Sequence, residues 1–384
     1  MMRKDCSHAC HRCFKDKVLI DLIRSEGKRG WCDWCGGRNV YVTPLHELGE
    51  MLRDVASIYQ PGDINGDTLS FLLQEDWNIF SDQIEQASDD LMQDLTIAIL
   101  KAGLSPRDYS TGDYPDFDGY FHRKNEWLVE HWHEKAETYF LGGQRALQDT
   151  VPANPNQIAP DDDLPDQLAV AFEDLSYTYE PSRILYRARI HEDRFREKWF
   201  SRDEVGAPPP QNTRAGRANR KNKPVLYLAE NLKTALAEVR ALKGMAVAIA
   251  RFRVKKQLSV VSLLNYELPE SPFFQEFLEW KIQLAALFDR LAEELSLPVL
   301  PNENENMYFS TQYLCDWIRQ SGYDGIEYPS AMGNGFNVAI FEPECAESLD
   351  IQYVRVNQIE SKFDCLDEDE PLYDDSPFGY LFMK

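Results

Sequence analysis

Two hydrophobic rhythms divide this chain. From Leu45 to about Leu147 apolar residues return every three or four positions, as Leu45, Leu48, Met51 and Leu52 do, and again Leu91, Leu95, Ala98 and Ile99. That period predicts helices with one buried face. Trp77, Trp127 and Trp132 fall in this region as packing residues, and Gly62–Asp67 and Ser105–Gly119 carry the glycine and aspartate of loops. Beyond about residue 169 the rhythm changes. Short runs with β-branched or aromatic residues predict strands at Arg183–Ile190, Val225–Leu228, Met245–Val254, Leu258–Leu264, Ile326–Tyr328 and Val338–Phe341. Helices are predicted between them at Leu232–Leu242, Phe273–Leu295 and Thr311–Gln320, with Gly322 placed to stop the last. Gly333-Asn334-Gly335 supplies a turn between the final two strands. The fold class is α+β.

The boundaries follow from composition. Val151–Asp166 holds Pro152, Pro155, Pro160 and Pro165 beside Asp161-Asp162-Asp163, the signature of a linker. This divides the 384 residues into a head at 1–42, a helical unit at 43–150, a linker at 151–168, a mixed domain at 169–357 and an acidic tail at 358–384. The net charge of -23 repels nucleic acid and anionic membrane surfaces. No apolar run reaches membrane-spanning length and the first residues lack an apolar signal core, so the expected compartment is the cytoplasm. One stretch opposes the acidic balance: Pro181–Lys223 carries twelve basic residues against five acidic ones. A cationic island in an anionic chain suits a small anionic ligand; the alternative is a solvated charged face.

Five of the eight cysteines lie within the first 35 residues. Cys10-His11-Arg12-Cys13 and Cys32-Asp33-Trp34-Cys35 form two CxxC knuckles with eighteen residues between them. Each knuckle brings two thiolates to one side of an ion, and the pair matches zinc-ribbon spacing. The expectation is a structural zinc on Cys10, Cys13, Cys32 and Cys35. Four protein ligands leave no open position for a reacting water, so the ion would fold the head rather than catalyse.

Candidate chemistry is concentrated in the C-terminal half. Arg187 and Arg189 stand in the predicted strand Leu185-Tyr186-Arg187-Ala188-Arg189. Arg217 and Asn219 stand in Gly216-Arg217-Ala218-Asn219, Tyr227 in Leu226-Tyr227-Leu228-Ala229, Glu238 on the helix that follows, and Ser330 at the end of Tyr328-Pro329-Ser330. Each has an ordinary explanation in isolation: a strand ion pair, a loop cation, a core aromatic, a solvated glutamate off the apolar face, a turn serine.

Taken in order, these segments resemble the RES family, over about Ile184–Val356, with Thr311-Gln312-Tyr313 and Asp324-Gly325-Ile326 as further matching pieces. The resemblance implies an ADP-ribosyltransferase-like fold that uses NAD as substrate, with Glu238, Arg187 and Ser330 catalytic and Arg217, Tyr227, Asn219 and Arg189 binding the dinucleotide. It implies a toxin that arrests growth by NAD depletion, restrained by an antitoxin or released by a trigger protein. Forked guanidinium donors suit a pyrophosphate and a carboxylate suits a ribose gaining positive charge. Water, phosphate or a protein nucleophile could be the acceptor. Many relatives have proline after the Gly-Arg-x-Asn frame, where this chain has Arg220, and Asn265–Met307 is longer than in compact relatives.

The N-terminal half resembles the zinc-bearing leader of some RES proteins, related to HEPN domains. HEPN ribonucleases carry an Arg-x4-6-His motif on a helix; Arg123 and His131 have seven residues between them and miss it, so a second nuclease centre is not expected. A different class of function stays open: a zinc-ribbon adaptor that binds a protein or nucleic acid through its first half, with a degenerate C-terminal domain; the acidic balance counts against nucleic acid.

Overall fold

The computed structural model describes residues 7–105, 107–108, 112, 114–124, 127–146, 164–191, 199–297 and 305–358. The cysteine-bearing start is a three-stranded antiparallel sheet, β1 (His8–Cys10), β2 (Lys28–Trp31) and β3 (Arg38–Pro44), in the order β1-β3-β2. Between β1 and β2 runs α1 (Lys17–Glu26), whose first turn is capped by the Asp16 carboxylate accepting from the Leu19 amide at 2.9 Å. Next come α2 (Leu45–Ala56), α3 (Leu69–Trp77), α4 (Asp82–Glu85) and α5 (Asp89–Ala102). They share this half with a small sheet, β4 (Tyr59–Pro61), β5 (Asp67–Thr68) and β6 (Tyr120–Arg123).

The sequence separates a head at residue 42 from the helices after it. The packing does not: Cys10, Cys13 and Leu19 lie in the same buried cluster as Leu48, Leu72, Phe80 and Leu95. So short a head has too little apolar surface to close a core alone and borrows its neighbours'.

The second half begins earlier than the proline-rich stretch suggests. It contains α6 (Trp127–Ala146), α7 (Leu164–Leu175), β7 (Ser176–Tyr179), β8 (Ile184–His191), β9 (Leu226–Ala229), α8 (Leu232–Glu238) and β10 (Ala246–Val254). After these come β11 (Leu258–Ser262), α9 (Leu278–Ser296), α10 (Phe309–Gln320), β12 (Gly325–Pro329), β13 (Phe336–Ile340) and β14 (Ala346–Arg355). Sequence composition groups α6 with the leader. Its stripe Leu128, Trp132, Ala136, Tyr139 and Phe140 instead packs with Leu287 and Phe288 of α9 and Tyr313 and Trp317 of α10. The Trp132 indole donates to the Ser310 carbonyl at 3.2 Å, satisfying its one polar group in that setting. Leu164 and Leu168, within the expected linker, are buried in this core too; residues 151–163 of that linker and the acidic tail from residue 359 lie outside the described residues. In the other direction, Phe273 and Leu278 from the long Asn265–Met307 segment enter the leader's core. Each half lends the other part of its apolar surface.

Among the described residues, eight strands form one sheet in the order β14-β10-β8-β9-β13-β12-β11-β7. Its neighbours are antiparallel except for β11 beside β12. Alternation assigns the faces. Ile326, Tyr328, Ala339 and Val261 meet α9 and α10 on one side, while Leu226, Leu228, Val338, Ile340 and Val260 form a separate core on the other. On β10 the outward Arg251 and Arg253 pair across to Asp350 and Glu347 of β14.

Glu327 breaks the alternation of apolar residues, pointing into the second of these cores at 1 % exposure. Its carboxyl meets the Tyr177 hydroxyl and, at 3.1 Å, that of Tyr179. Burial pushes it up to about 8 from an ordinary 4.5. The folded chain therefore holds a proton that the unfolded chain has released between those two values. Stability from this group is complete at the acid end and falls as pH rises through the window, by at most about 1.4 kcal/mol per pH unit. Thermal melts of wild type and Glu327→Gln between about pH 5 and about pH 8 check this. The variant is expected to lose that component of the slope, whereas parallel slopes would refute the assignment.

Candidate active site

Between β8 and β9 the ladder consists of a single pair, Tyr186 opposite Ala229. Away from it a cleft of about 260 Å³ lies between the two parts of the sheet. It is lined by Tyr186 and Arg187 of β8, Tyr227 of β9, Glu238 of α8, Tyr328 of β12 and Asn337 of β13, among others. The cleft is near the small end for ligand pockets and suits a nucleoside-sized portion of a ligand.

Glu238 owes its place to the early end of α8. Apolar periodicity predicts this helix to Leu242, but it stops at Glu238, and Arg240 turns into the left-handed region at φ 47°. The carboxylate then faces the far strands. Its Oε1 accepts from the Ser330 hydroxyl at 2.6 Å and from the Asn337 side-chain amide at 2.7 Å. The Ser330 oxygen accepts the Gly333 amide at 3.1 Å and the Met332 amide at 3.3 Å, which leaves its own proton for Glu238. Two donors on one oxygen fix the carboxylate, and no described residue donates to Oε2. The turn that carries Ser330 is pinned to α8 by the Thr234 hydroxyl, which donates to the Asn334 carbonyl at 3.2 Å. Gly335 makes that contact possible: at φ 149° a Cβ would lie 2.6 Å from the Thr234 oxygen.

Arg187 faces this carboxylate's cleft from β8. One guanidinium N–H donates to the Tyr227 carbonyl at 3.1 Å, and no carboxylate among the described residues pairs with it. Burial, with a smaller contribution from Arg189, brings it down to about 10, so it stays cationic at neutral pH. A half-buried cation with no carboxylate beside it among the described residues is suited to an anionic ligand group. Burial pushes the phenols of Tyr227 and Tyr328 up, keeping both neutral.

Four residues singled out in the sequence are absent from the cleft's lining: Ser330, which reaches it only through its bond to Glu238, and Arg217, Asn219 and Arg189. Arg217 is 7 % exposed, lies over the Tyr308 ring at 5.3 Å and donates to the Glu294 carbonyl at 2.5 Å near the end of α9. Asn219 is buried, donating to the Arg214 and Arg220 carbonyls at 2.8 and 2.9 Å and accepting from the Tyr227 hydroxyl at 2.8 Å. Arg189 bonds the Glu204 carbonyl and lies over the Phe200 ring. Tyr227 does line the cleft, but its hydroxyl is engaged by Asn219 and by the Ala218 amide at 2.9 Å, so it offers a ligand ring and backbone only. The sequence missed Tyr186, Tyr328 and Asn337. Asn337 left one trace, a polar residue inside the apolar strand Phe336–Ile340.

In the leader, the Sγ atoms of Cys10, Cys13, Cys32 and Cys35 all lie within 4.8 Å of one another. The pairs Cys10–Cys13, Cys10–Cys35 and Cys13–Cys32 are at 3.9, 3.5 and 3.4 Å. Four sulfurs about 2.3 Å from one zinc ion in tetrahedral array stand about 3.8 Å apart, so the donor set and its spacing fit that ion.

Residues 184–360 match the family model described as the RES domain. The C-terminal half of the chain thus carries a RES domain. Among solved structures, a chain of the M. tuberculosis MbcT–MbcA toxin–antitoxin complex matches at 16% identity, with a TM-score of 0.28, covering 50% of this chain and 93% of that one. No curated protein matches.

The four-sulfur centre makes a direct prediction. Purified full-length chain is expected to carry about one zinc per molecule by elemental analysis, and Cys13→Ser to lose it together with several kcal/mol of stability in the leader. Metal-free protein with an unchanged melt would refute a zinc centre.

Proposed function

We propose that the C-terminal half is an NAD-degrading enzyme that breaks the nicotinamide–ribose bond. The observation that carries this reading is the pairing, in one cleft, of an unpaired guanidinium on Arg187 with a carboxylate on Glu238 whose orientation is fixed by Ser330 and Asn337. NAD presents a pyrophosphate to the first and a ribose to the second. As the C1′–N bond breaks, its electron pair leaves with nicotinamide, which departs neutral, and the ribose C1′ becomes cationic. Free Oε2 of Glu238 would accept the ribose 2′-hydroxyl and lower the energy of that cation. An acceptor bearing a lone pair, water or phosphate, then closes on C1′ and, in the case of water, releases a proton to solvent. The aromatic walls Tyr186, Tyr227 and Tyr328 suit the flat nicotinamide ring. Arg217, expected from the sequence beside Arg187 on the pyrophosphate, becomes a support: its guanidinium holds the end of α9.

Loss of NAD would arrest growth, and the resemblance to RES toxins supports a restraining antitoxin or a trigger acting through the leader. The substrate belongs to the cytoplasm, and no described helix is long and apolar enough to cross a membrane. The zinc centre has a structural role here, with no part in the reaction.

Nicotinamide release from NAD by purified protein tests the reading. Glu238→Ala is expected to lower turnover by about 10²–10³-fold. Arg187→Ala is expected to raise KM for NAD at least about tenfold, the cost of one charge-assisted phosphate contact. An inert wild type under activating conditions, or equal rates for wild type and Glu238→Ala, would overturn it. Label carried from NAD onto protein, rather than into free ADP-ribose or its phosphate, would redirect the acceptor to a macromolecule.

A further inference from the structure

Arg220 follows directly on the Gly216–Asn219 loop and turns away from the cleft. Its Nη2 donates to the Tyr139 hydroxyl of α6 at 2.6 Å and pairs with the Asp316 carboxylate of α10. The guanidinium also lies over the Tyr139 and Phe140 rings at 4.9 and 4.8 Å. The Tyr139 hydroxyl in turn donates to Asp316 at 3.2 Å. Both members of the ion pair are largely buried, with side chains 18 % and 11 % exposed.

From this anchor a continuous set of hydrogen bonds leads to the cleft. The Arg220 carbonyl accepts the Asn219 side-chain amide at 2.9 Å, and the Asn219 carbonyl oxygen of the side chain accepts the Tyr227 hydroxyl at 2.8 Å. The backbone carbonyl of Tyr227 is the acceptor that holds Arg187. There is no slack in the loop: a Cβ on Gly216 would lie 2.8 Å from the Asn219 oxygen and 3.1 Å from the Tyr227 hydroxyl. A hydroxyl with donor and acceptor sites both taken cannot shift without breaking a bond, so the tyrosine ring follows the loop, and the loop follows Arg220.

We propose that Arg220, with Tyr139 and Asp316, is a positioning residue for the cleft. It makes the seating of α6 decide where Tyr227 and Arg187 stand, so that a partner or ligand that moves α6 alters the cleft's grip on its anion. The kinetic consequence rests on reading the cleft as the NAD site; the structural link does not.

Two measurements on the full chain separate these. Hydrogen exchange at the Ala218 amide reports the link without any substrate, because that N–H is bonded to the Tyr227 hydroxyl. Arg220→Lys, which keeps the charge and loses the fork, is expected to speed that exchange about tenfold while amides of β10 stay unchanged. Tyr139→Phe, the milder change should the first variant fold poorly, is expected to move it the same way by a few-fold. In NAD cleavage, Arg220→Lys should raise KM at least about fivefold with kcat within about twofold, and its effect should shrink in a Tyr227→Phe background yet stay additive with Ser330→Ala. Unchanged Ala218 exchange in both variants, or full additivity with Tyr227→Phe, would overturn the proposal. An inert wild type would sink the NAD reading alone, with the exchange result still deciding the link.

Discussion

The arrangement depends on one interruption in a hydrogen-bonded sheet. Continuous pairing between β8 and β9 would leave no room for a ligand, and complete separation would strand backbone groups away from water. The chain keeps a single pair, Tyr186 with Ala229, and satisfies the next available carbonyl, that of Tyr227, with the Arg187 guanidinium. A charged side chain stands where a neighbouring strand would otherwise donate. The same substitution that completes the backbone's hydrogen bonding also places a cation at the wall of the opening.

The residues of the RES-like pattern accordingly divide into two physical roles. Glu238, Arg187 and Tyr227 line the cleft, and Ser330 acts on Glu238 through a 2.6 Å bond. Arg217, through Nη1, and Asn219, through its side-chain amide, face away and donate to main-chain carbonyls. Gln312 and Thr311 of α10 do likewise, bonding the carbonyls of Gly216, Asn219 and Arg217. Gly216 and Asn219 already exchange backbone hydrogen bonds, and the Gln312 side chain occupies the second lone pair of each carbonyl and ties the loop to α10. A motif can therefore mark the scaffold of a site as strongly as its chemistry.

The N-terminal half is more than an appendage. Phe273 and Leu278 of the second half enter its core, while α6, which precedes the proline-rich stretch, packs in the core beneath the sheet. Exchanged elements tie the stability of one half to that of the other, since neither core is complete with its own stretch of sequence. The helices α6 and α10 of that shared packing touch the loop behind Tyr227 through Arg220.

Local pattern was enough for strands β8 to β13 and for the helices among them, for the turn at Gly333–Gly335 and for the pairing of two CxxC knuckles, because period, turn chemistry and ligand spacing are written within a few residues of each other; the sheet's edge strands β7 and β14 were not predicted. It also singled out Arg187 and Glu238, though only as members of an ordered set. Three things lay beyond it. The end of α8 at Glu238 depends on the left-handed turn at Arg240, against an apolar period that continues to Leu242. The membership of α6 depends on which core its aromatic stripe meets, and the proline-rich stretch after it was the louder boundary signal. The division of the motif into lining and bracing residues depends on side-chain direction across a parted sheet, where Asn337 comes to share a carboxylate with Ser330. Short-range regularities are carried by the order of residues; contacts between positions a hundred residues apart exist only once the chain has closed on itself, so they belong to the tertiary structure.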